Sequence, residues 1–176
     1  ECPEFGWLSE ETKDSPERLD KEAVWIVDPL DGTKEFVEGI PNFVVSIGLV
    51  KNGFPVLGTI INPISNDIYT ASKGNGMKYN DNKKSISDKI ILSEMVMLNR
   101  RSETKIGLWN AFGDFFKELL PIGSIAYKLA MVSANQADLV ASLKPKNEWD
   151  ICAGHCLINE SGGILVSSEG NEITYN

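Results

Sequence analysis

Residues 23–33 read Ala-Val-Trp-Ile-Val-Asp-Pro-Leu-Asp-Gly-Thr, and this run constrains the fold more than any other part of the chain. An apolar, β-branched stretch that follows a polar one over residues 9–22 predicts a buried strand over residues 23–28. Pro29 fixes its own φ and Gly32 permits a tight turn, so the strand gives way to a turn at Pro29–Gly32. A short helix is expected from Thr33 to Glu38, stopped by Gly39 and Pro41. Two carboxylates, Asp28 and Asp31, are therefore held on one concave face at a strand end. Converging carboxylates suit Mg²⁺, which takes oxygen ligands in octahedral geometry. The backbone N–H groups of Gly32 and Thr33, at a helix start, suit a phosphate. Taken alone, Asp-Pro and Asp-Gly are also ordinary turn formers, and the hexapeptide does not decide between the two readings.

Net charge narrows the function classes. Seventeen basic residues against twenty-five acidic ones give −8 over 176 residues. A protein that neutralises a nucleic-acid backbone needs the opposite balance, so no nucleic-acid polymer is expected as partner. An acidic protein that handles an anionic substrate needs a cation as intermediary. The three cysteines are an odd number, which argues against a disulfide framework and for a reducing, cytoplasmic setting. No apolar run approaches the ~20 residues of a membrane span, and no signal peptide is visible. The chain opens Glu1-Cys2-Pro3 without Met, so a fragment or a missing upstream segment is expected.

Along the chain, residues 9–22 read as a surface loop. Phe43–Lys51 and Pro55–Asn62 read as strands joined by an Asn52-Gly53 hairpin turn. Asp67–Ser72 and Met77–Tyr79 continue the meander, and Ile90–Leu92 reads as another short strand. The apolar pairs 108/109, 115/116 and 119/120, with residue 112, recur at helical spacing. Ser124 is placed to cap a helix running to about Gln136. Asp138–Leu143 reads as a strand, Trp149–Ser161 as a helix closed by Gly162-Gly163, and Ile164–Ser167 as a last strand. The first half is thus mainly antiparallel β and the second alternates helix and strand. We expect a β subdomain over residues 1–95 and an α/β subdomain over 96–176.

Two further segments carry acids. Glu10-Glu11 sits in a polar loop, where an acidic pair is ordinarily a solvated surface. Asp150, in Glu148-Trp149-Asp150, sits where a helix N-cap is expected, and capping alone explains it. Together, however, Leu8-Ser9-Glu10-Glu11, Trp25 through Phe36, and Trp149-Asp150-Ile151-Cys152-Ala153-Gly154 followed by Glu160-Ser161-Gly162-Gly163 resemble the inositol monophosphatase-like superfamily of Mg²⁺-dependent, lithium-sensitive phosphatases. The resemblance runs from residue 6 to about residue 167, with motif order and spacing in agreement.

That resemblance implies an α+β layered sandwich with a homodimer as its assembly, and two or three Mg²⁺ ions per site. It implies a phosphomonoesterase acting on a small phosphorylated metabolite through a metal-activated water. Glu10 matches a metal ligand that helps activate the water, Asp28 a carboxylate bridging two metals, and Leu30 a ligand through its backbone carbonyl. Asp31 and Asp150 match ligands of the second metal. Gly32 and Thr33 match the phosphate-binding backbone, and the Thr33 hydroxyl a group near the water. Glu11 is expected behind the ligands. Gly123-Ser124 resembles the family's turn beside the substrate, with Lys128 one turn on. The run Gly123–Leu129 and the lysine before Trp149-Asp150 resemble the 3′(2′),5′-bisphosphate nucleotidase branch more than the inositol branch. Lys144 and Lys146 are then placed to hold a second phosphate, although solvated surface is the default for both. An upstream Asp-Thr segment and the last strand and helix of the family are not matched in these residues.

Other classes compete. A fructose-1,6-bisphosphatase-type sugar phosphatase and a non-catalytic regulatory scaffold remain alternatives. The Asp28–Asp31 spacing disfavours the Asp-x-Asp pair of haloacid-dehalogenase phosphatases. His155, the sole histidine, shares a helix face with Ile151 and Ile158 and is expected to pack. Cys152 and Cys156, one turn apart, lack the further ligands of a zinc site and read as buried. Trp109, Phe112, Phe115 and Phe116 read as a helical core stripe.

Overall fold

A computed structural model describes residues 4–176, so Cys2 lies outside the described residues. Its larger sheet has seven strands in chain order: β1 (Gly6–Ser9), β2 (Ala23–Asp31), β3 (Val44–Lys51), β4 (Phe54–Asn62), β5 (Asp67–Ser72), β6 (Met77–Tyr79) and β7 (Asn82–Lys84). β1 runs parallel to β2, and every later neighbour is antiparallel. Asn52 and Gly53 both take positive φ (51° and 81°), as the tight β3–β4 hairpin requires. Burial alternates along β3, so one face of the sheet meets a core.

A smaller parallel sheet has β8 (Val96–Arg100) at its centre, between β10 (Leu139–Val140) and β9 (Glu118–Ile122). Two helices fill the space between the sheets: α3 (Ile125–Ser133) and α4 (Glu148–Glu160). Short helices α1 (Thr33–Val37) and α2 (Arg101–Lys105) follow β2 and β8 directly. On the large-sheet side, Val44, Ile60, Tyr69 and Met77 pack with Ala126 and Ala130 of α3 and Ala153 and Leu157 of α4. On the other side, Leu98 and Ile122 of the small sheet pack with Leu129, Val132 and Ile158. The result is the layered α+β sandwich the sequence predicts.

α4 lies close to the large sheet because two glycines face it. Gly48 and Gly58 are cross-strand partners on β3 and β4. A Cβ on Gly58 would overlap the Ala153 carbonyl oxygen, and one on Gly48 would sit 2.6 Å from Cys152 Sγ. This contact fixes the height of α4, and hence of Asp150 in its first turn.

Several local expectations need correction. β2 does not stop at Asp28; it continues through a bulge to Asp31. The 9–22 loop begins inside β1, which pairs as an edge strand, and holds one 3-10 turn at Pro16–Asp20. Ile90–Leu92 is not a strand: Ile90 is 89% exposed, and the chain makes a 3-10 turn at Leu92–Glu94 before β8 begins. The helical spacing over 108–120 misleads. Gly107 takes positive φ, Asn110–Phe115 forms only a 3-10 turn, and Leu119 and Leu120 belong to β9, whose Pro121 is tolerated on an edge strand. Trp109 is buried, but Phe112 and Phe115 are exposed, so the stripe is not a core face. α3 ends at Ser133, three residues early. The 138–143 strand shrinks to Leu139–Val140, and residues 164–167 contribute a single bridge, Val166 to Glu172.

Candidate active site

The bulge in β2 builds the core of the site. Asp28 pairs with Ser46 and Asp31 with Val44, so three steps on β2 oppose two on β3. Both Asp28 and Asp31 consequently reach the same end of the strand. Pro29 has no N–H to leave unpaired, and the Leu30 N–H donates to Asp28 Oδ1 at 2.8 Å. Gly32 then takes φ 100°, where a Cβ would lie 2.9 Å from the Asn42 carbonyl oxygen. The Thr33 hydroxyl donates back to the Leu30 carbonyl at 3.2 Å. The turn is thus closed on itself before α1 begins.

Asp31 is held from the other layer. Its Oδ2 accepts from Ser124 Oγ at 2.6 Å and from the Ala126 N–H at 2.7 Å. Ser124 caps α3 as expected, its Oγ accepting from the Tyr127 N–H at 2.9 Å. Asp150 comes from a third element. It is the third residue of α4 rather than its N-cap, which is Asn147, and its Oδ2 accepts from the Asn147 N–H at 2.9 Å.

Carboxylate oxygens of Asp28, Asp31 and Asp150 lie within 4.8 Å of one another. Burial pushes Asp28 up to about 7, against the pull of the Leu30 N–H; the charges of Asp31, Glu10 and Asp150 push it further. Burial likewise pushes Asp31 up to about 6, opposed by its bonds to Ser124 and Ala126. Asp150 is raised by burial, with the Asn147 N–H, Lys146 and Arg100 opposing. Among the described residues no Lys, Arg or His nitrogen pairs with any of the three. Three half-paired, oxygen-only ligands at this spacing fit a hard divalent cation such as Mg²⁺.

The trio opens on a cavity of about 770 Å³. Glu10 is exposed and lines this cavity, but it stands apart from the trio; its charge is felt at Asp28. Leu30, Gly32, Thr33, Gly123 and Ser124 also line it. Lys128 borders the cavity too, yet it is 2% exposed and its ammonium donates to the carbonyls of Ile122 (3.0 Å) and Gly123 (3.2 Å). Burial pulls it down to about 8, with Asp31 opposing. Lys146 is half-buried at the same cavity and lowered by burial and by Arg100. Glu11 and Lys144 are exposed and do not line the cavity.

Sequence reasoning missed Arg100, Arg101 and Glu35, all of which line the cavity. Arg100 ends, and Arg101 follows, a strand that the sequence did not reveal. An adjacent arginine pair was the available signal. His155 packs as expected: it is buried, its Nδ1 lies 3.0 Å from the Tyr175 hydroxyl, and it does not line this cavity. Cys152 and Cys156 are buried free thiols, and burial raises Cys156 to about 12 and Cys152 further.

Comparison with known proteins agrees with the geometry. The profile of the Inositol monophosphatase family matches residues 1–176. The inositol-1-monophosphatase of Mesorhizobium japonicum is 36% identical over 180 residues, covering 97% of this chain and 66% of that protein. The Nus factor SuhB of Pasteurella multocida is 31% identical over 175 residues, covering 96% and 65% respectively. The solved inositol monophosphatase of Anabaena superposes with a TM-score of 0.89 at 27% identity, over 97% of this chain and 70% of that one. The chain spans 64–66% of the length of the first curated relatives it matches.

Proposed function

The chain belongs to the inositol monophosphatase family, and from that premise we propose that it is a Mg²⁺-dependent phosphoric monoester hydrolase acting on a small phosphorylated metabolite. The observation that carries the reading is the Asp28–Asp31–Asp150 trio, three convergent carboxylates without a basic partner at the mouth of a cavity. Asp28, Asp31 and Asp150 would hold the cation, with Glu10 and the Leu30 carbonyl as further oxygen donors. Bound Mg²⁺ would supply Lewis acidity to water and to the ester oxygen, lowering the cost of charge on both.

The chain's own groups do the rest. Gly32, by taking positive φ where a side chain would strike Asn42, lets the turn bring its own N–H and that of Thr33 to the cavity as candidate phosphate donors, with the Thr33 hydroxyl lining the same cavity. Ser124 and Ala126 fix the direction of the Asp31 carboxylate. Lys128 holds the Ile122–Gly123 carbonyls and acts on substrate through that turn and through its charge. Arg100 and Lys146 line the cavity near enough to Asp150 for their charges to be felt there, and so form a basic wall beside that carboxylate. That wall favours a substrate with a second anionic group, and so a 3′(2′),5′-bisphosphate nucleotide ahead of an inositol monophosphate. A fructose-1,6-bisphosphatase-type substrate satisfies the same wall. The reading carries with it Li⁺ inhibition, a homodimer, a cytoplasmic setting, and two subdomains, residues 1–95 and 96–176, that meet at the site. Among the described residues no helix is long and apolar enough to cross a membrane.

The test is phosphate release from adenosine 3′,5′-bisphosphate, myo-inositol 1-phosphate and fructose 1,6-bisphosphate, each with and without Mg²⁺. Mg²⁺-dependent turnover of one names the branch. No turnover of any, from a folded chain that binds Mg²⁺, leaves a metal site without this activity and refutes the enzyme reading.

A further inference from the structure

Glu35 is a charged side chain in an unusual place. It is 7% exposed, although it sits on a five-residue helix at the surface. Its carboxylate occupies the space that a side chain on residue 123 would take: a Cβ built on Gly123 would fall inside the Glu35 carboxyl group. Arg101 Nη1 donates to Glu35 Oε1 at 3.0 Å, and Arg101 Nη2 donates to Glu38 Oε2 at 3.0 Å. One guanidinium thus bridges two carboxylates of α1.

These contacts join three elements that carry the site. Glu35 stands four residues after Asp31, on the helix that the Gly32 turn opens. Gly123 precedes Ser124, whose hydroxyl and whose neighbour Ala126 N–H both bind Asp31 Oδ2. Arg101 follows the last residue of β8, the central strand of the small sheet. The large sheet and the small sheet are therefore tied across the cavity by one buried acid, and the tie ends at the turn that orients Asp31.

We infer that Glu35 and Arg101 are a positioning pair, which sets the distance between the Asp31–Gly32 turn and the Gly123–Ser124 turn and so fixes the Asp31 carboxylate for cation binding. The inference rests on the metal site proposed above. Neither residue touches the cation; both act through Ser124 and Asp31. Glu35→Gln keeps the packing on Gly123 but replaces the ion pair with Arg101 by a weaker neutral contact, so the α1 end of the tie loosens. A Gly123→Ala change leaves both charges in place but expels Glu35 from its space. Two chemically unlike changes should give one phenotype.

The experiment is calorimetric Mg²⁺ titration of the full 176-residue chain and of Glu35→Gln, Arg101→Met, Arg101→Lys, Gly123→Ala and the Glu35→Gln/Arg101→Met double variant, with thermal unfolding in metal-free buffer and turnover alongside. Groups that orient a ligand typically change metal affinity 10- to 100-fold, so about a tenfold loss is expected for each of Glu35→Gln, Arg101→Met and Gly123→Ala. The double variant should be no worse than either single one, and Arg101→Lys should recover part of the loss. Variants that stay folded and bind Mg²⁺ as the parent does overturn the pair. Losses in the two single variants that simply multiply in the double one also overturn it, because the two residues then act separately. A folded parent that binds no Mg²⁺ refutes the site reading itself, and the pair falls with it. If Glu35→Gln does not fold, Arg101→Lys, which keeps the charge, decides on metal affinity alone.

Discussion

Gly58→Ala tests the link between helix packing and the site. The added Cβ would overlap the Ala153 carbonyl oxygen and lie 3.0 Å from Cys156 Cβ. Ordinary contact between such atoms needs ~3.5 Å, so α4 must lift by about 1 Å. The neighbour is helix backbone, which cannot rotate away, and overpacking of that kind costs about 1–3 kcal/mol. Replacing glycine in a strand interior returns about 0.5–1 kcal/mol through the unfolded chain. The net loss should be about 1 kcal/mol, or about 2–4 °C in Tm for a chain of this size. Ala153 is one turn from Asp150, so the same lift displaces a carboxylate of the trio. Metal sites tolerate ligand shifts of about ±0.2 Å, and Mg²⁺ affinity should therefore fall with stability. The assay is thermal unfolding with and without Mg²⁺, with Gly113→Ala as control because nothing lies within 4 Å of a Cβ there. Gly48→Ala should cost less, since Cys152 Sγ can turn aside. A Gly58→Ala protein that melts within about 1 °C of the parent and keeps its Mg²⁺ stabilisation would refute the claim that this contact sets the height of α4.

Three more outcomes follow from the site. Asp31→Asn should abolish Mg²⁺-dependent phosphate release and, by removing a charge whose neutral form burial favours, leave the metal-free Tm unchanged or higher; a lower Tm with full turnover contradicts the assignment. The folded pKa of Asp28 is raised to about 7 from 3.8, so between these values the folded protein keeps a proton that the unfolded chain has released, and metal-free stability falls as pH rises. Raising pH from 5 to 7 without metal should cost the parent about 2 kcal/mol more than it costs Asp28→Asn, measured by denaturant unfolding. His155 is lowered by burial and works in the opposite sense, but it is common to both proteins and cancels; Asp31, pushed up to about 6 and linked to Asp28 by charge, titrates in the same window, so the difference reports the two carboxylates together. Excess Mg²⁺ should flatten or reverse the difference. Lys146→Ala and Arg100→Ala should raise KM for a bisphosphate about tenfold while leaving KM for a monophosphate within about twofold, if each forms one charge-assisted contact with the second anion; equal effects on both substrates would remove the basic wall from substrate choice.

The chemistry was legible where it is contiguous in sequence. Asp28, Leu30, Asp31, Gly32 and Thr33 lie in one turn, and a proline, a glycine and a buried strand fix their geometry locally. Asp150 was legible through its helix start, although the helix begins two residues earlier and the cap is Asn147. Glu10 was placed at the cavity but not in the carboxylate trio, because the loop after β1 sets its reach and no local signal does. The small sheet was largely illegible. Its strands are parallel, short and buried by packing rather than by alternation, and around Trp109 a helical spacing of aromatics imitates a helix that glycines prevent. Losing β8 meant losing Arg100 and Arg101, and with them the basic side of the cavity.

The two sides of the cavity explain why one chain carries such opposed charges. At −8 net, and with three carboxylates converging, the site repels phosphate until a cation enters. The fold does not relieve that repulsion by pairing Asp28, Asp31 and Asp150 with lysine or arginine, which would stabilise the apo protein at the cost of the cation. It spends its nearby cations elsewhere: Arg101 on Glu35 and Glu38, Lys128 on two backbone carbonyls. The carboxylates are left with raised proton affinity, which is the same debt a divalent cation discharges at neutral pH. Stability withheld from the empty site becomes binding free energy for the ion. A variant that paired Asp28 with a new lysine should therefore gain stability without metal and lose affinity for it, the two changes moving together.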